Sequence, residues 1–136
     1  MEFNKEKFSY YVMQRPHLGE ITETTEDTSL FKYALDKAGC GDAYELSLVA
    51  DKGGKILDAK YITYGCGFAQ ATCGALIDSI LGKNLTEILS WSEKDLGDQI
   101  EGIIGEFPVH KKAYIFFAKE LLDGIGKSYK EALTTA

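Results

Sequence analysis

Two alternating stretches, Tyr44 to Ala50 and Leu57 to Tyr61, flank the tetrapeptide Asp51-Lys52-Gly53-Gly54. Alternation of apolar with polar residues is the period of a half-buried strand, and an Asp-Lys-Gly-Gly junction supplies a tight hairpin with glycines for positive φ. Leu30 to Leu35 alternates more loosely ahead of them, so three antiparallel strands are expected in succession, with one sheet face needing cover. Beyond the third strand the period turns helical. From Gly67 to Leu81, the residues Ala69, Cys73, Leu76, Ile77 and Ile80 share one face. Asn84 with Glu87, then Ser92 with Asp95, mark further helix starts, and Leu96, Ile100, Ile103 and Ile104 form the next stripe. Phe107-Pro108 breaks it, and a last helix is expected from Val109 to Ala132 along Tyr114, Phe117, Leu121, Leu122, Ile125 and Tyr129. Strands followed by helices predict an α+β fold: a three-stranded antiparallel sheet with helices packed on one face.

Before the strands, Phe8, Tyr11 and Val12 give Lys5 to Met13 the spacing of a short helix that Arg15-Pro16-His17-Leu18-Gly19 stops. Glu20 to Ser29, rich in Thr, Glu and Asp, reads as an exposed loop. The 136 residues, 45% of them hydrophobic, match one domain with one core, spanning residues 1–136. A net charge of -6 with no basic run argues against nucleic acid or an anionic membrane surface as partner. No apolar run reaches membrane-span length, and Met1 to Lys7 lacks the apolar stretch of a secretory signal. A cytoplasmic location is expected, where three cysteines in no disulfide-framework spacing stay reduced.

Cys40 lies between Gly39 and Gly41 at a strand-to-strand turn, with Asp42 two positions on. Cys66 lies between Gly65 and Gly67 at the start of a helix, where the helix dipole favours thiolate over thiol. Antiparallel neighbours return both thiols to one end of the sheet. Two soft thiolates and a carboxylate are a donor set for iron or zinc. A free cysteine is also commonly a small core residue. Cys73 shares an apolar face with Ala69, Leu76 and Ile80 and reads first as core, with a ligand role as the alternative. His17, beside a proline, reads as a loop residue, and His110 as an exposed first-turn residue unless the last helix abuts the cysteine tips. No phosphate loop, His-Glu-x-x-His helix or nucleophile elbow is present, and no enzyme is expected.

Together the residues resemble the IscU-type, NifU N-terminal-like scaffolds on which iron-sulfur clusters are assembled. The marks are Cys40-Gly41-Asp42, the passage from Asp58-Ala59-Lys60-Tyr61 to Tyr64-Gly65-Cys66-Gly67, the helix ending in Gly82-Lys83-Asn84-Leu85-Thr86-Glu87, and the Ala118 to Tyr129 helix. The resemblance implies a labile [2Fe-2S] cluster held by three cysteines and an aspartate, of which Cys40, Cys66 and Asp42 are present here. It also implies a cysteine desulfurase as sulfur donor and acceptor proteins for the finished cluster. Counting back from Tyr129, Pro108 and Lys111 fall on a Pro-Pro-x-Lys-like segment, and Ala113-Tyr114 stand where the resemblance expects His-Cys. Cys73 or His110 is then the candidate substitute for the absent thiol. Two other readings stay open: an interaction protein of the same fold that regulates a desulfurase without a cluster, and a small domain stabilised by zinc on Cys40, Asp42 and Cys66.

Overall fold

The computed structural model describes residues 2–37 and 42–135. The element order is α1 (Lys5–Met13), β1 (Thr28–Lys37), β2 (Asp42–Asp51), β3 (Ile56–Thr63), α2 (Gly67–Ile80), α3 (Leu85–Ile88), α4 (Glu93–Ile104), a 3-10 turn (Val109–Lys111) and α5 (Ala113–Thr135). The strands form one antiparallel sheet in the order β1-β2-β3. At the β2–β3 hairpin the Asp51 carboxylate accepts from the backbone N–H groups of Gly53 (3.0 Å) and Lys55 (2.9 Å), and Gly54, not Gly53, takes the positive φ of 92°.

Register explains which residues meet the helices. Phe31 lies opposite Leu48, which lies opposite Ala59, and Tyr33 lies opposite Leu46, which lies opposite Tyr61. All of these except Tyr33 are buried. The helix α5 covers β1, with the Tyr129 ring edge-on to Phe31 at 5.7 Å, and the Tyr33 ring occupies the space a Cβ would need at Gly124. The helix α2 lies in the middle, buried over most of its circumference, between the sheet and α1, α4 and α5. A helix apolar all round belongs in an interior.

The N-terminal helix docks through a glycine. A Cβ built at Gly74 would stand 2.5 Å from the Tyr11 ring, so α1 approaches α2 at a distance only glycine permits. The Tyr11 hydroxyl donates to the Asp78 carboxylate at 2.5 Å, and His17 Nε2 lies 2.7 Å from the other Asp78 oxygen. His17 is thus tied to α2 rather than left in solvent, with positive φ (68°) and its carbonyl accepting from Tyr61 N–H at 3.0 Å. Burial and Asp78 together push the Tyr11 phenol far above its ordinary range.

Two boundaries depart from the sequence reading. The first strand starts at Thr28, because a turn closed by Thr25 N–H donating to Thr28 Oγ1 (3.0 Å) sets it going earlier than Leu30. The last helix starts at Ala113 rather than Val109, because a 3-10 turn follows Pro108. There the Glu101 carboxylate accepts from Phe107 N–H at 2.6 Å and sits 3.6 Å from the Lys112 ammonium. The Ser92–Asp95 capping box is present in both directions, whereas Asn84 caps α3 by accepting from Thr86 N–H. No helix is long and apolar enough to cross a membrane among the described residues.

Candidate functional site

The site is built at the sheet end from which β3 passes into α2. Ala43 closes that end: its carbonyl accepts from Tyr64 N–H at 3.1 Å and from the Thr63 hydroxyl at 2.7 Å. Tyr44 pairs with Thr63, so the backbone of Asp42, two residues earlier, lies at the same end as the chain leading to Cys66. Cys40 itself, and the side chain of Asp42, lie outside the described residues.

Cys66 is the N-cap of α2, exposed, with extended backbone and no side-chain cap bond. Its sulfur is therefore not spent on the helix's free N–H groups. Cys66 Sγ lies 2.9 Å from Tyr114 Oη. Tyr114 is the second residue of α5, so two helix N-termini meet at this contact. The phenol ring is wedged: Phe68 stacks on it at 6.3 Å, Phe117 meets it edge-on at 5.9 Å, and Phe107 backs Phe68 at 5.5 Å. Above the rings sits the Lys111 ammonium, 5.4 Å from the Phe68 centroid and 5.9 Å from that of Tyr114. The N-terminal aromatics continue the same layer, with Phe3 at 5.8 Å and Phe8 at 4.7 Å from Phe68.

Cys73 is placed elsewhere. It is buried in the core, and burial pushes its thiol up to about 12. Its neighbour Tyr61 has a buried hydroxyl without a hydrogen-bond partner and is likewise pushed up to about 12 by burial. The alternative role offered for Cys73 as a ligand finds no support in this geometry: metal binding needs thiolate and an open approach, and this environment withholds both. His110 is exposed on the 3-10 turn. Among the described residues no three His, Cys, Asp or Glu side chains converge on one point. Tyr114 is the residue whose place the sequence reading undervalued. It stood in an apolar stripe, and the only signal of a site role was its falling where the resemblance expects cysteine.

Comparison with known proteins bears on the family and the fold. The chain is 29% identical over 92 residues to iron-sulfur cluster assembly protein 3 of Arabidopsis thaliana, covering 68% of this chain and 51% of that one. It thus spans about half the length of that relative. It is 27% identical over 101 residues to the iron-sulfur cluster assembly scaffold protein IscU of Haemophilus influenzae, covering 74% of this chain and 78% of the relative. Among solved structures, a protein of Fervidobacterium islandicum AW-1, provisionally assigned as an iron-sulfur cluster assembly scaffold for the SUF system, superposes with a TM-score of 0.52 at 25% identity, over 88% of this chain and 81% of that one. The model of the NifU-like N-terminal domain matches residues 6–135, nearly the whole chain. With that match, and with the three-stranded sheet and helical layer the family's solved structures share, the chain belongs to the NifU-like N-terminal domain family.

Proposed function

We propose that this chain is a scaffold for iron-sulfur cluster assembly, holding a [2Fe-2S] cluster or its iron precursor through Cys40, Asp42 and Cys66 as cargo to be passed on. The observation that carries the reading is Cys66: an exposed thiol at a helix N-terminus, on the sheet end from which the Cys40–Asp42 connection also departs. The names of the Arabidopsis and Haemophilus relatives support the same role. The chemistry of this chain is coordination and exchange rather than turnover, so it acts as a carrier and not as an enzyme. Cys66 loses its proton on ligation, and the helix dipole offsets the negative charge that results. A carboxylate such as Asp42 is a weaker ligand for thiophilic iron than a third thiolate, which keeps the cargo labile. A cysteine desulfurase is the proposed sulfur donor and an apo-protein the acceptor, in the cytosol, where thiols stay reduced.

Anaerobic reconstitution with iron, sulfide and reductant tests this reading. Wild type is expected to gain visible colour and bound iron, both lost in Cys40→Ala and Cys66→Ala but kept in Cys73→Ala. Colourless protein with bound zinc would shift the assignment to a zinc-stabilised domain. Colourless, metal-free protein that still binds a desulfurase would make the chain a regulator of the same fold, a reading favoured by the Ala113-Tyr114 pair.

A further inference from the structure

We propose that the sheet face turned away from the helices carries a second binding site, a small cleft beside Glu45 that takes a primary ammonium group on an apolar stem. The strands place it there. Ala34, Glu45 and Ile62 stand opposite one another across β1, β2 and β3, and alternation puts them on the other face from the Tyr33, Leu46 and Tyr61 row that meets the helices. Between them and Tyr64 lies a cleft of about 250 Å³, walled mainly by Ala34, Ala43, Ile62 and the exposed Tyr64. Sites for drug-sized ligands measure about 300 to 1,000 Å³, so this one fits a single side chain or a molecule of that size. Glu45 is the charged residue in that lining.

The carboxyl of Glu45 lacks a donor. Its Oε1 is buried and has no hydrogen-bond partner, a costly condition for an acceptor. Burial raises the Glu45 carboxyl above its ordinary range, and the hydrogen-bonded Glu20 carboxylate raises it further, with Lys32 partly opposing them. Lys32 is already committed, because its Nζ donates to Glu20 Oε2 at 2.7 Å. Glu20 is brought to this face where the chain crosses the sheet, the Ile21 N–H donating to the buried Ser47 hydroxyl at 3.0 Å. Lys60 stands diagonally from Glu45 on β3, with its stem beside Gly19. The crossing segment adds Glu23, Glu26 and Asp27 in a chain of net charge -6, so a cationic ligand is favoured over an anionic one.

Binding at this cleft is an exchange of cations. The Glu45 carboxyl releases its proton to solvent and its Oε1 accepts an N–H bond from the ammonium, so one positive charge leaves as another arrives. The stem lies along Ala34, Ala43 and Ile62, where it sheds water. This chemistry belongs equally to the lysine side chain of a docking protein and to a free alkylamine. Tyr64 stands two residues before Cys66, so an occupant here lies at the same sheet end as the thiol, yet the cleft needs no cluster and is independent of the scaffold reading.

The test titrates the full chain with n-butylammonium chloride at constant ionic strength, read by amide and methyl NMR, with n-butanol as the uncharged control. Wild type is expected to show saturable shifts centred on Ala34, Ala43, Glu45, Ile62 and Tyr64, with n-butanol about tenfold weaker. Glu45→Gln is expected to bind about tenfold more weakly, the loss of one charge-assisted hydrogen bond. Ala34→Leu, at an exposed strand position, fills the cleft and is expected to abolish the shifts with Glu45 intact. Wild-type affinity is expected to rise with pH across the range where Glu45 loses its proton, and to stay flat in Glu45→Gln; the probe keeps its charge throughout. Equal binding of n-butanol, full affinity in Glu45→Gln or Ala34→Leu, or no saturable shift at the cleft in wild type overturns the site. Nα-acetyl-lysine methylamide as a second probe separates the sources: binding that matches n-butylammonium assigns the cleft to a protein lysine, and binding about tenfold weaker assigns it to free alkylamines. Iron-sulfide reconstitution is a separate readout, and its failure counts against the scaffold reading alone.

Discussion

One helix, α2, carries two cysteines seven residues apart, and their surroundings could hardly differ more. At its N-cap the chain leaves Cys66 exposed, without a cap bond and touching a phenol oxygen. Two turns on, Cys73 is sealed in the core and held as a thiol, its pKa pushed up to about 12 by burial. The residue type is the same; position in the helix decides what it does. A helix N-terminus has free N–H groups and positive potential but cannot bury its cap without losing solvent access, whereas the middle of an apolar helix offers packing and no charge stabilisation.

The largest expected effect on this contrast is in metal content. Cys66→Ala is expected to abolish iron retention after anaerobic reconstitution, and Cys73→Ala to leave the iron per chain unchanged; equal losses in both would erase the distinction. Next comes backbone approach. Gly74→Ala drives a methyl group into the Tyr11 ring and is expected to cost about 2 to 3 kcal/mol in denaturant unfolding. Gly67→Ala, at the half-buried start of the same helix, meets only the tips of Phe8 and Val12 at 3.2 and 3.3 Å and is expected to stay within about 0.5 kcal/mol of wild type. A smaller contrast comes from Ser in place of each cysteine. Cys73→Ser buries a hydroxyl where nearby Tyr61 already lacks a partner, for about 2 kcal/mol, while Cys66→Ser leaves unfolding unchanged.

The sheet, its hairpin and the apolar stripes of the helices were readable because each rests on local periodicity: Tyr44, Leu46 and Leu48 announce a buried strand face before any partner is known. The site was only half readable. Glycines around Cys66 and the helix after it are local signals, but the contact with Tyr114 spans 48 positions and that of His17 with Asp78 spans 61. No local pattern encodes such pairs; they arise from how α5 and α1 settle on α2. The start of α5 was misplaced for a related reason. Val109 to Lys111 has helical turn geometry of the tighter kind, and sequence periodicity does not separate that turn from the α-helix after it.

The smallest effect is also the most specific to burial, and it appears as a dependence on pH. Cys73 has a folded-state value of about 12 against a reference of 9.0, so between those limits the unfolded chain releases a proton that the folded chain keeps. With fewer protons bound in the unfolded state, stability falls as pH rises, and the loss begins near the unfolded value. At pH 10 the loss from this one thiol is about 1.4 kcal/mol relative to neutral pH. Tyr61, also raised to about 12 from 10.0, adds about 0.4 kcal/mol to the decline by pH 10 and Tyr11, raised further still, a similar amount, so the share of Cys73 is read from the difference between wild type and Cys73→Ala. Urea unfolding at pH 7, 9 and 10 checks this: the fall at pH 10 is expected to shrink by about 1.4 kcal/mol in Cys73→Ala and to persist in Cys66→Ala. A fall that persists undiminished in Cys73→Ala would mean that its thiol ionises as readily folded as unfolded, and the division between the two cysteines of α2 would then rest on geometry alone.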